Sequence, residues 1–430
     1  MTATGAQLAA IPGTRWVVTG PLLASAVGAW LVLSTALLVH ESSGVLASDL
    51  VSGVLSLLLS IWWVRTNRAT PRWLLAALGS WLLLAPLVFW APQVSLALND
   101  LLAGTLLITA AAIIPTVQAA DGNSAIPPDW DYNPSAWSQR IPISLLAMAG
   151  FAMSGYLAAF QLGYTDRAVD PLFGDGTRRV LTSDISRWFP VSDAGLGAVS
   201  YLLEALTGFI GDRRRWRTMP WMVLLFGLMI IPTGAVSILL VVLQPIGVGS
   251  WCTLCLATAA VMLLMVSPAL DEVIATCQAL GRSRQRGENC WAAIFHGVDE
   301  PGALRSSTAQ PEAITGTWPW HLVLAAVASS WLMGAPYVNG SAGTVAGNSD
   351  HLAGALAVTV AVIAIGDVAR MLRWLLLPIG LWVVVSAWWL SGATSYSAWN
   401  AVAIGVVLIS CSLLRGRLSW HFGAWDRLIR

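Results

Sequence analysis

The sequence has few charged residues and no pattern of metal ligands. Asp, Glu, Lys and Arg make up 10% of the chain, and the formal net charge is +1. A charge this close to neutral argues against a nucleic-acid partner, which would need a strongly basic surface. The histidines are scattered without metal-ligand spacing, so we expect no metal site. They are His40, His296, His321, His351 and His421.

Long apolar runs dominate the chain. Of 430 residues, 57% are hydrophobic, and the mean hydropathy is +0.70. This composition is typical of an all-α polytopic membrane protein. Runs of about 17 to 25 apolar residues predict about twelve membrane spans. They are residues 20–40, 46–64, 72–92, 98–118, 141–163, 196–211, 219–243, 251–268, 320–338, 351–369, 372–391 and 397–414. Residues 1–12 lack a basic segment, so we expect no signal peptide.

The arginine clusters between the spans predict the orientation. If both termini are cytoplasmic, these clusters fall on the cytoplasmic side, as the positive-inside rule requires. They comprise Arg65, Arg68 and Arg72; Arg213, Arg214, Arg215 and Arg217; Arg282, Arg284 and Arg286; Arg370 and Arg373; and Arg415, Arg417, Arg427 and Arg430. We therefore predict a multi-pass protein of the bacterial inner membrane, in contact with membrane lipids.

An internal repeat occurs near both ends of the chain. Four tryptophans lie in similar apolar frames, and the spacings 81 − 30 and 382 − 331 are both 51. They are Trp30, Trp81, Trp331 and Trp382. A glycine follows each at the same distance, at Gly53, Gly104, Gly354 and Gly405. We interpret each unit as a helical hairpin in which the glycine lets two helices approach closely, so residues 16–118 and 318–415 should superpose.

These hairpins resemble the SPW repeat family of small bacterial membrane proteins. The Ser-Pro-Trp signature survives in part, at Ala85-Pro86, at Ala335-Pro336 and at Ser34 or Ser386. The resemblance implies a structural module without chemistry of its own. The alternative is a lipid- or pigment-binding surface lined by the 24 tryptophans, although interfacial aromatic belts explain most of them.

A C-x-x-C motif, Cys252 and Cys255, precedes an apolar run. At helical spacing, residues i and i+3 share a face, so the two sulfurs can form a disulfide. A helix N-terminus favours the reactive thiolate, and Ser250 is a candidate cap for that helix. The predicted orientation places both cysteines at the outer membrane boundary. The simpler alternative is two small residues packed in a helix bundle.

Three more segments accompany this motif. They are Thr177 to Ser183, Phe189 to Gly197, and Tyr201. Together with Trp251 to Cys255 they resemble the vitamin K epoxide reductase family, and the likeness covers residues 141–270.

That resemblance implies a four-helix membrane enzyme that passes electrons from protein thiols to a quinone. It makes Cys252 and Cys255 the catalytic pair, with Cys255 facing the quinone. It also implies a set of quinone-binding residues, namely Trp251, Ser183, Asp193 and Tyr201. Asp193 lies near the position of a quinone-contacting asparagine in some family members, although the loop before it differs in length from theirs.

The chain departs from the family in its first outer loop. Family members carry a second cysteine pair there, and here Thr177 takes the place of the second member. No cysteine precedes Cys252, and we expect no fused thioredoxin-like domain. Such a chain cannot pass oxidising equivalents through an internal relay. Cys277, Cys290 and Cys411 are expected to be reduced, packed thiols.

The predicted organisation has five parts. Residues 1–118 and 319–430 contain the two hairpin pairs and the C-terminal tail, and residues 141–270 form the four-helix bundle. Residues 119–140 and 271–318 are cytoplasmic linkers.

The leading functional hypothesis is a membrane thiol–quinone oxidoreductase. A Cys255 thiolate reduces a quinone of the ubiquinone or menaquinone type, and Cys252 re-forms the disulfide. An unidentified thiol donor, or a membrane protein partner, must then reach Cys252 past the outer loop 163–192. The alternative is a catalytically degenerate quinone-binding or scaffold subunit of a membrane complex, so turnover stays open. A transporter is a third hypothesis, disfavoured by the few charged residues within the spans.

Overall fold

The computed structural model describes residues 14–39, 41–66, 68–112, 126–298 and 318–429. These ranges contain sixteen α-helices and no β-strand, which confirms the predicted all-α class. The helices are α1 Thr14–Leu37, α2 Ser43–Thr66, α3 Ala69–Val88, α4 Val94–Ala112, α5 Trp137–Gln161, α6 Gly176–Leu181, α7 Asp193–Phe209, α8 Arg215–Thr218, α9 Pro220–Leu243, α10 Thr253–Gln285, α11 Cys290–His296, α12 Trp320–Val338, α13 Val345–Ile365, α14 Leu376–Trp389, α15 Ser395–Leu413 and α16 Asp426–Ile429. Parts of both predicted linkers, residues 119–125 and 299–317, lie outside the described residues.

Eleven helical segments in the described ranges are long and apolar enough to cross a membrane. They are α1 to α5, α9 with the turn that follows it, α10, α12, α13, α14 with the 3₁₀ turn before it, and α15. The remaining predicted span, 196–211, corresponds to α7, which has 17 residues and so lies at the lower limit of about 17 for a span. The predicted count of twelve therefore depends on α7.

The chain divides into two compact units. One comprises residues 1–122, 156–167 and 189–199, and it contains the hairpins α1–α2 and α3–α4. The other comprises residues 123–155, 168–188 and 200–430, and it contains α9, α10 and the hairpins α12–α13 and α14–α15. Each unit has its own buried apolar core, as expected for a compact unit.

The repeated tryptophans make equivalent hydrogen bonds in the two hairpin pairs. Each indole Nε1 donates to a polar side chain on another hairpin of its pair, at 2.8 to 3.0 Å. The bonds are Trp30 to Asn99, Trp81 to Ser48, Trp331 to Asn400, and Trp382 to Ser349. All four N-terminal residues recur after 301 positions, since 331 − 30, 400 − 99, 382 − 81 and 349 − 48 are equal. The repeat is therefore present in the tertiary contacts as well as in the sequence.

The glycines recur at the same distance from the tryptophans for a steric reason. A Cβ atom on any of the four would lie 2.5 to 2.9 Å from a backbone atom of the facing helix. The pairs are Gly53 with Gly28, Gly104 with Gly79, Gly354 with Met333, and Gly405 with Gly380. The prediction that these glycines lie at close helix contacts is confirmed, and in lipid such contacts drive helix association. Superposition of the two pairs stays a prediction.

Two glycines of the C-terminal pair provide a matched test of this packing. We expect Gly354→Ala to destabilise the protein by about 1–3 kcal/mol, because the added methyl group would overlap the backbone of α12. Gly334→Ala is the control, since no atom lies within 4 Å of a Cβ at that site and alanine favours a helix. Thermal unfolding in detergent measures both variants. Equal unfolding temperatures for the two would contradict the packing account.

The bundle core next to the candidate site lies between α5, α7, α9 and α10. Its buried residues are Ile143, Ala147, Tyr201, Ala205, Phe226, Ile230, Met262, Met265, Val266 and Ala269. Gly150 of α5 lies against the Tyr201 ring, where a Cβ would come within 2.5 Å of it. This close approach packs α5 directly against α7.

Helix α10 continues well past the domain boundary predicted at residue 270. It runs unbroken for 33 residues, although Pro268 lies within it. Beyond the proline, Glu272 forms a buried ion pair with Arg215, with a nitrogen–oxygen distance of 2.5 Å, and Thr276 donates to the Trp216 carbonyl at 2.9 Å. These contacts give the polar residues of the extension buried partners, so the extension packs as part of the fold.

Candidate redox site at the start of helix α10

The two cysteines of the C-x-x-C motif form a disulfide where α10 begins. Helix α9 ends in a π-helical turn, Gln244–Val248, and Gly249 takes a left-handed conformation with φ of +67°. The chain then reaches Cys252, whose Cα lies 5.3 Å from that of Cys255. Cys252 itself is the N-cap of α10, and its Sγ accepts a hydrogen bond from the Cys255 amide at 3.1 Å. The expectation that Ser250 caps this helix was wrong.

The two sulfurs differ in accessibility. Cys252 is fully buried, whereas Cys255 is half-buried. The Cys252 amide donates to Gln244 Oε1 at 3.0 Å, which fixes the backbone before the helix to the end of α9. A helix N-terminus stabilises negative charge, so a thiolate at either position benefits from the α10 amides.

A short segment, residues 170–181, covers Cys252, and we call it the cover segment. Thr177 on α6 is fully buried, and its Oγ1 lies 3.5 Å from Cys252 Sγ. Gly176 packs so closely that a Cβ there would lie 1.9 Å from the Trp251 carbonyl oxygen. The Thr177 hydroxyl is therefore in contact with the buried sulfur of the disulfide.

The carboxylate of Asp170 attaches the cover segment to α10. It accepts hydrogen bonds from the Leu172 and Phe173 amides, from the amide and hydroxyl of Thr177, and from the amide and hydroxyl of Thr253. Partial burial raises the pKa of Asp170, but the hydrogen bonds from Thr253, Phe173, Thr177 and Leu172 outweigh it and hold the pKa below its ordinary value. Asp170 is thus ionised at neutral pH, and it links Thr177 of the cover segment to Thr253 at the start of α10.

Trp251 is enclosed on several sides. It is 8% exposed, and its ring stacks on Phe173 with a centroid distance of 6.1 Å. Tyr337 and His351 approach it edge-on, at 5.6 and 5.1 Å. The predicted role of Trp251 in quinone binding stays a prediction, and a planar ligand would have to replace Phe173 to stack on this ring.

Tyr201 and Ser183, two further predicted quinone-binding residues, both donate hydrogen bonds to backbone carbonyls. Tyr201 lies beside α10, where its hydroxyl donates to the Thr258 carbonyl at 2.6 Å, and the Thr258 hydroxyl donates to the Cys255 carbonyl at 2.9 Å. Ser183 instead donates to the Val180 carbonyl at 2.7 Å and closes the turn after α6.

Asp193 belongs to the other compact unit. There it begins α7 and accepts a hydrogen bond from Gln161 at 2.6 Å. The roles of Ser183, Asp193 and Tyr201 toward a quinone stay predictions.

The remaining cysteines do not form a relay. Cys277, Cys290 and Cys411 are unpaired, as expected. Only Cys411 is buried, so the expectation of packed thiols was wrong for Cys277 and Cys290, which are exposed. Within the described ranges no cluster of metal-ligating residues occurs.

We expect Asp170→Asn to loosen the cover segment and speed chemical reduction of the disulfide. The amide nitrogen introduced would face donors that now bond a carboxylate oxygen. The measurement is the rate of thiol release by a water-soluble phosphine at pH 7. Asp175→Asn is the control, because Asp175 makes no side-chain cap bond to α6. Equal rates in both variants would contradict the role of Asp170.

The same contact predicts a pH dependence. Because the folded pKa of Asp170 lies below its ordinary value, its stabilising effect is complete above that ordinary value. The effect is lost as the pH falls through the folded pKa, so the wild-type cover segment should loosen only in strong acid. Reduction rates of the wild type that rise between pH 7 and pH 5 would contradict this assignment.

Comparison with protein families identifies two domains. Residues 141–269 match the model of the vitamin K epoxide reductase family, and residues 319–415 match that of the SPW repeat domain. Both resemblances seen in the sequence are thereby confirmed, and the SPW likeness of residues 16–118 stays a prediction. Searches of curated proteins and of solved structures gave no match.

Proposed function

We propose that this membrane protein, with its vitamin K epoxide reductase domain, is a thiol–quinone oxidoreductase that oxidises an external dithiol. One observation carries the proposal. The Cys252–Cys255 disulfide lies at the N-terminus of α10, and the Thr177 hydroxyl contacts Cys252 Sγ where an incoming sulfur would approach. The family match supports a quinone as the electron acceptor, and a ubiquinone or menaquinone type belongs to the proposal.

The proposed reaction balances with one dithiol and one quinone. A donor thiolate attacks Cys252, the disulfide breaks, and Cys255 leaves as a thiolate. A second donor thiol then displaces Cys252 and completes the donor disulfide. Cys255 and Cys252 together return two electrons and two protons to the quinone, which leaves as quinol while their disulfide re-forms. The donor must displace the cover segment, because Cys252 is fully buried beneath Thr177.

We also propose that both termini are cytoplasmic in a bacterial inner membrane, which would place the disulfide at the outer surface. After reduction of intact cells, a membrane-impermeant maleimide should label the Cys252–Cys255 pair. The exposed thiols Cys277 and Cys290 provide the internal control, since they should react only after permeabilisation. If Cys277 and Cys290 were labelled in intact cells and the Cys252–Cys255 pair were not, the orientation would be the opposite of the one proposed.

A catalytically degenerate quinone-binding or scaffold subunit is the second candidate. The burial of Cys252 favours it, because the six hydrogen bonds to Asp170 close the route that a donor would use. A purified protein that retains quinone or a membrane partner, yet never reduces quinone with any dithiol, would support this candidate.

A further inference from the structure

The side chain next to the disulfide is held by the SPW repeat domain. Tyr337 at the end of α12 and His351 on α13 both contact the ring of Trp251, which directly precedes Cys252. His351 is 2% exposed, and its Nδ1 lies 3.0 Å from the Met333 carbonyl oxygen of α12. This hydrogen bond fixes the imidazole ring, so the contact with Trp251 has one defined geometry.

The internal repeat shows that these two residues are specific to the C-terminal hairpin pair. With the offset of 301 residues established by the tryptophan bonds, Tyr337 corresponds to Ala36 and His351 to Leu50. The tryptophan hydrogen bonds are equivalent in both pairs. By contrast, the N-terminal pair has Ala36 and Leu50 at the positions that Tyr337 and His351 occupy in the C-terminal pair. The requirements of the hairpin fold therefore do not explain Tyr337 and His351.

The backbone around Trp251 is held at a few points besides the contacts with Tyr337 and His351. The Gly249 and Ser250 amides donate to the Gln244 carbonyl, and Gly176 and Phe173 of the cover segment pack against Trp251. Residues 249 to 252 lie between the π-helical turn and α10, and Gly249 in the left-handed region gives this stretch conformational freedom. The Cys252 amide is fixed by Gln244, and the next restraint is the Asp170 bond to Thr253. The buried Trp251 ring, with Tyr337 and His351 at its edges, thus adds a restraint on the segment before Cys252.

We propose that Tyr337 and His351 are positioning residues of the redox site, through which the SPW repeat domain sets the redox equilibrium of the Cys252–Cys255 pair. By holding Trp251, they keep Cys252 in the place where its sulfur meets that of Cys255, and this pre-organisation favours the disulfide over the dithiol. The inference deepens the proposed function, because it assigns part of the control of that site to the repeat domain.

The test measures the redox equilibrium without any quinone. In a background with Cys277, Cys290 and Cys411 replaced by serine, the fraction of oxidised pair is determined in dithiol–disulfide buffers by alkylation and mass shift. His351→Leu and Tyr337→Ala introduce the residues of the N-terminal pair. We expect each to shift the equilibrium about tenfold toward the dithiol, which is about 30 mV for a two-electron couple. His351→Phe keeps an aromatic ring against Trp251 and should recover most of the wild-type equilibrium.

Two controls make the outcome decisive. Asn400→Leu removes the Trp331 hydrogen bond in the same hairpin pair, so it should lower the unfolding temperature without moving the equilibrium. Tyr337 is 45% exposed, so Tyr337→Ala should fold even if His351→Leu does not. A folded Tyr337→Ala with the wild-type equilibrium would overturn the inference, as would an equal shift in Asn400→Leu. Absence of quinone turnover in the wild type would refute the proposed function alone.

Discussion

Replacing Thr177 by cysteine is expected to transfer the disulfide from Cys255 to the introduced thiol. Thr177 Oγ1 lies 3.5 Å from Cys252 Sγ, and a sulfur in its place needs only a small movement to reach bonding distance. Exchange would join the cover segment to α10 and leave Cys255 as a free thiol. We expect a substantial fraction of the purified variant in this form, measured by alkylation of Cys255 and by peptide mapping of the new cross-link.

A matched variant separates proximity from simple reactivity. Thr182→Cys adds a thiol one residue beyond α6, at an exposed position whose hydroxyl bonds only the Arg178 carbonyl. This thiol should stay free, and Cys255 should stay bonded. If both variants exchanged to the same extent, the exchange would not depend on the contact between Thr177 and Cys252.

The Thr177 variant should not restore a full relay. The resemblance to the vitamin K epoxide reductase family implies two cysteines in the outer loop, and this substitution supplies only one. Turnover with a protein dithiol should therefore stay below that of an intact relay, although the exchange itself occurs. In the structure the cover segment brings Thr177 to Cys252, and residues 170–181 contain no cysteine that could act as the second member of a loop pair.

Removing Cys255 is expected to abolish quinone reduction. Cys255→Ala eliminates the thiolate proposed to reduce the quinone, so turnover with a small dithiol should fall to the uncatalysed rate. The fold should persist, because Cys255 is a half-buried side chain of one sulfur atom, and the core of the bundle is formed by other residues. Quinol formation followed by absorbance measures the loss, and thermal unfolding confirms that the protein is folded.

The control for this loss is a cysteine away from the site. Cys411→Ala removes a buried thiol of α15 and should leave turnover unchanged, even where it costs some stability. Retained quinone reduction in a folded Cys255→Ala protein would exclude the proposed role of Cys255.

The sequence alone predicts much of the fold because membrane spans and repeats have local signatures. The apolar runs give eleven full-length spans and, at the lower limit, α7. The equal spacing of Trp30 and Trp81 and of Trp331 and Trp382 predicts the hairpins, and these make equivalent hydrogen bonds in the structure. Helix α10 shows what these local signatures leave open. Its polar extension contains Glu272, which the sequence places in a linker. Only the tertiary structure shows that Glu272 pairs with the distant Arg215.

The chemistry of the site was also partly predictable. The C-x-x-C spacing predicts the disulfide, but the local sequence does not show that Cys252 caps the helix instead of Ser250. Asp170 was only one of several loop charges in the sequence. An Asp-Pro turn predicts bonds to the amides that follow it, whereas its bonds to Thr253, 83 positions away, follow from tertiary packing.

The most direct test of the central claim is a single turnover with pre-reduced protein. The protein, with Cys277, Cys290 and Cys411 replaced by serine, is placed in lipid nanodiscs and reduced. The reductant is then removed under anaerobic conditions, and a menaquinone or a ubiquinone is added. We expect two thiols to disappear for each quinol formed and the Cys252–Cys255 disulfide to re-form. Thiols that persist with both quinones, in a folded protein, would contradict the claim.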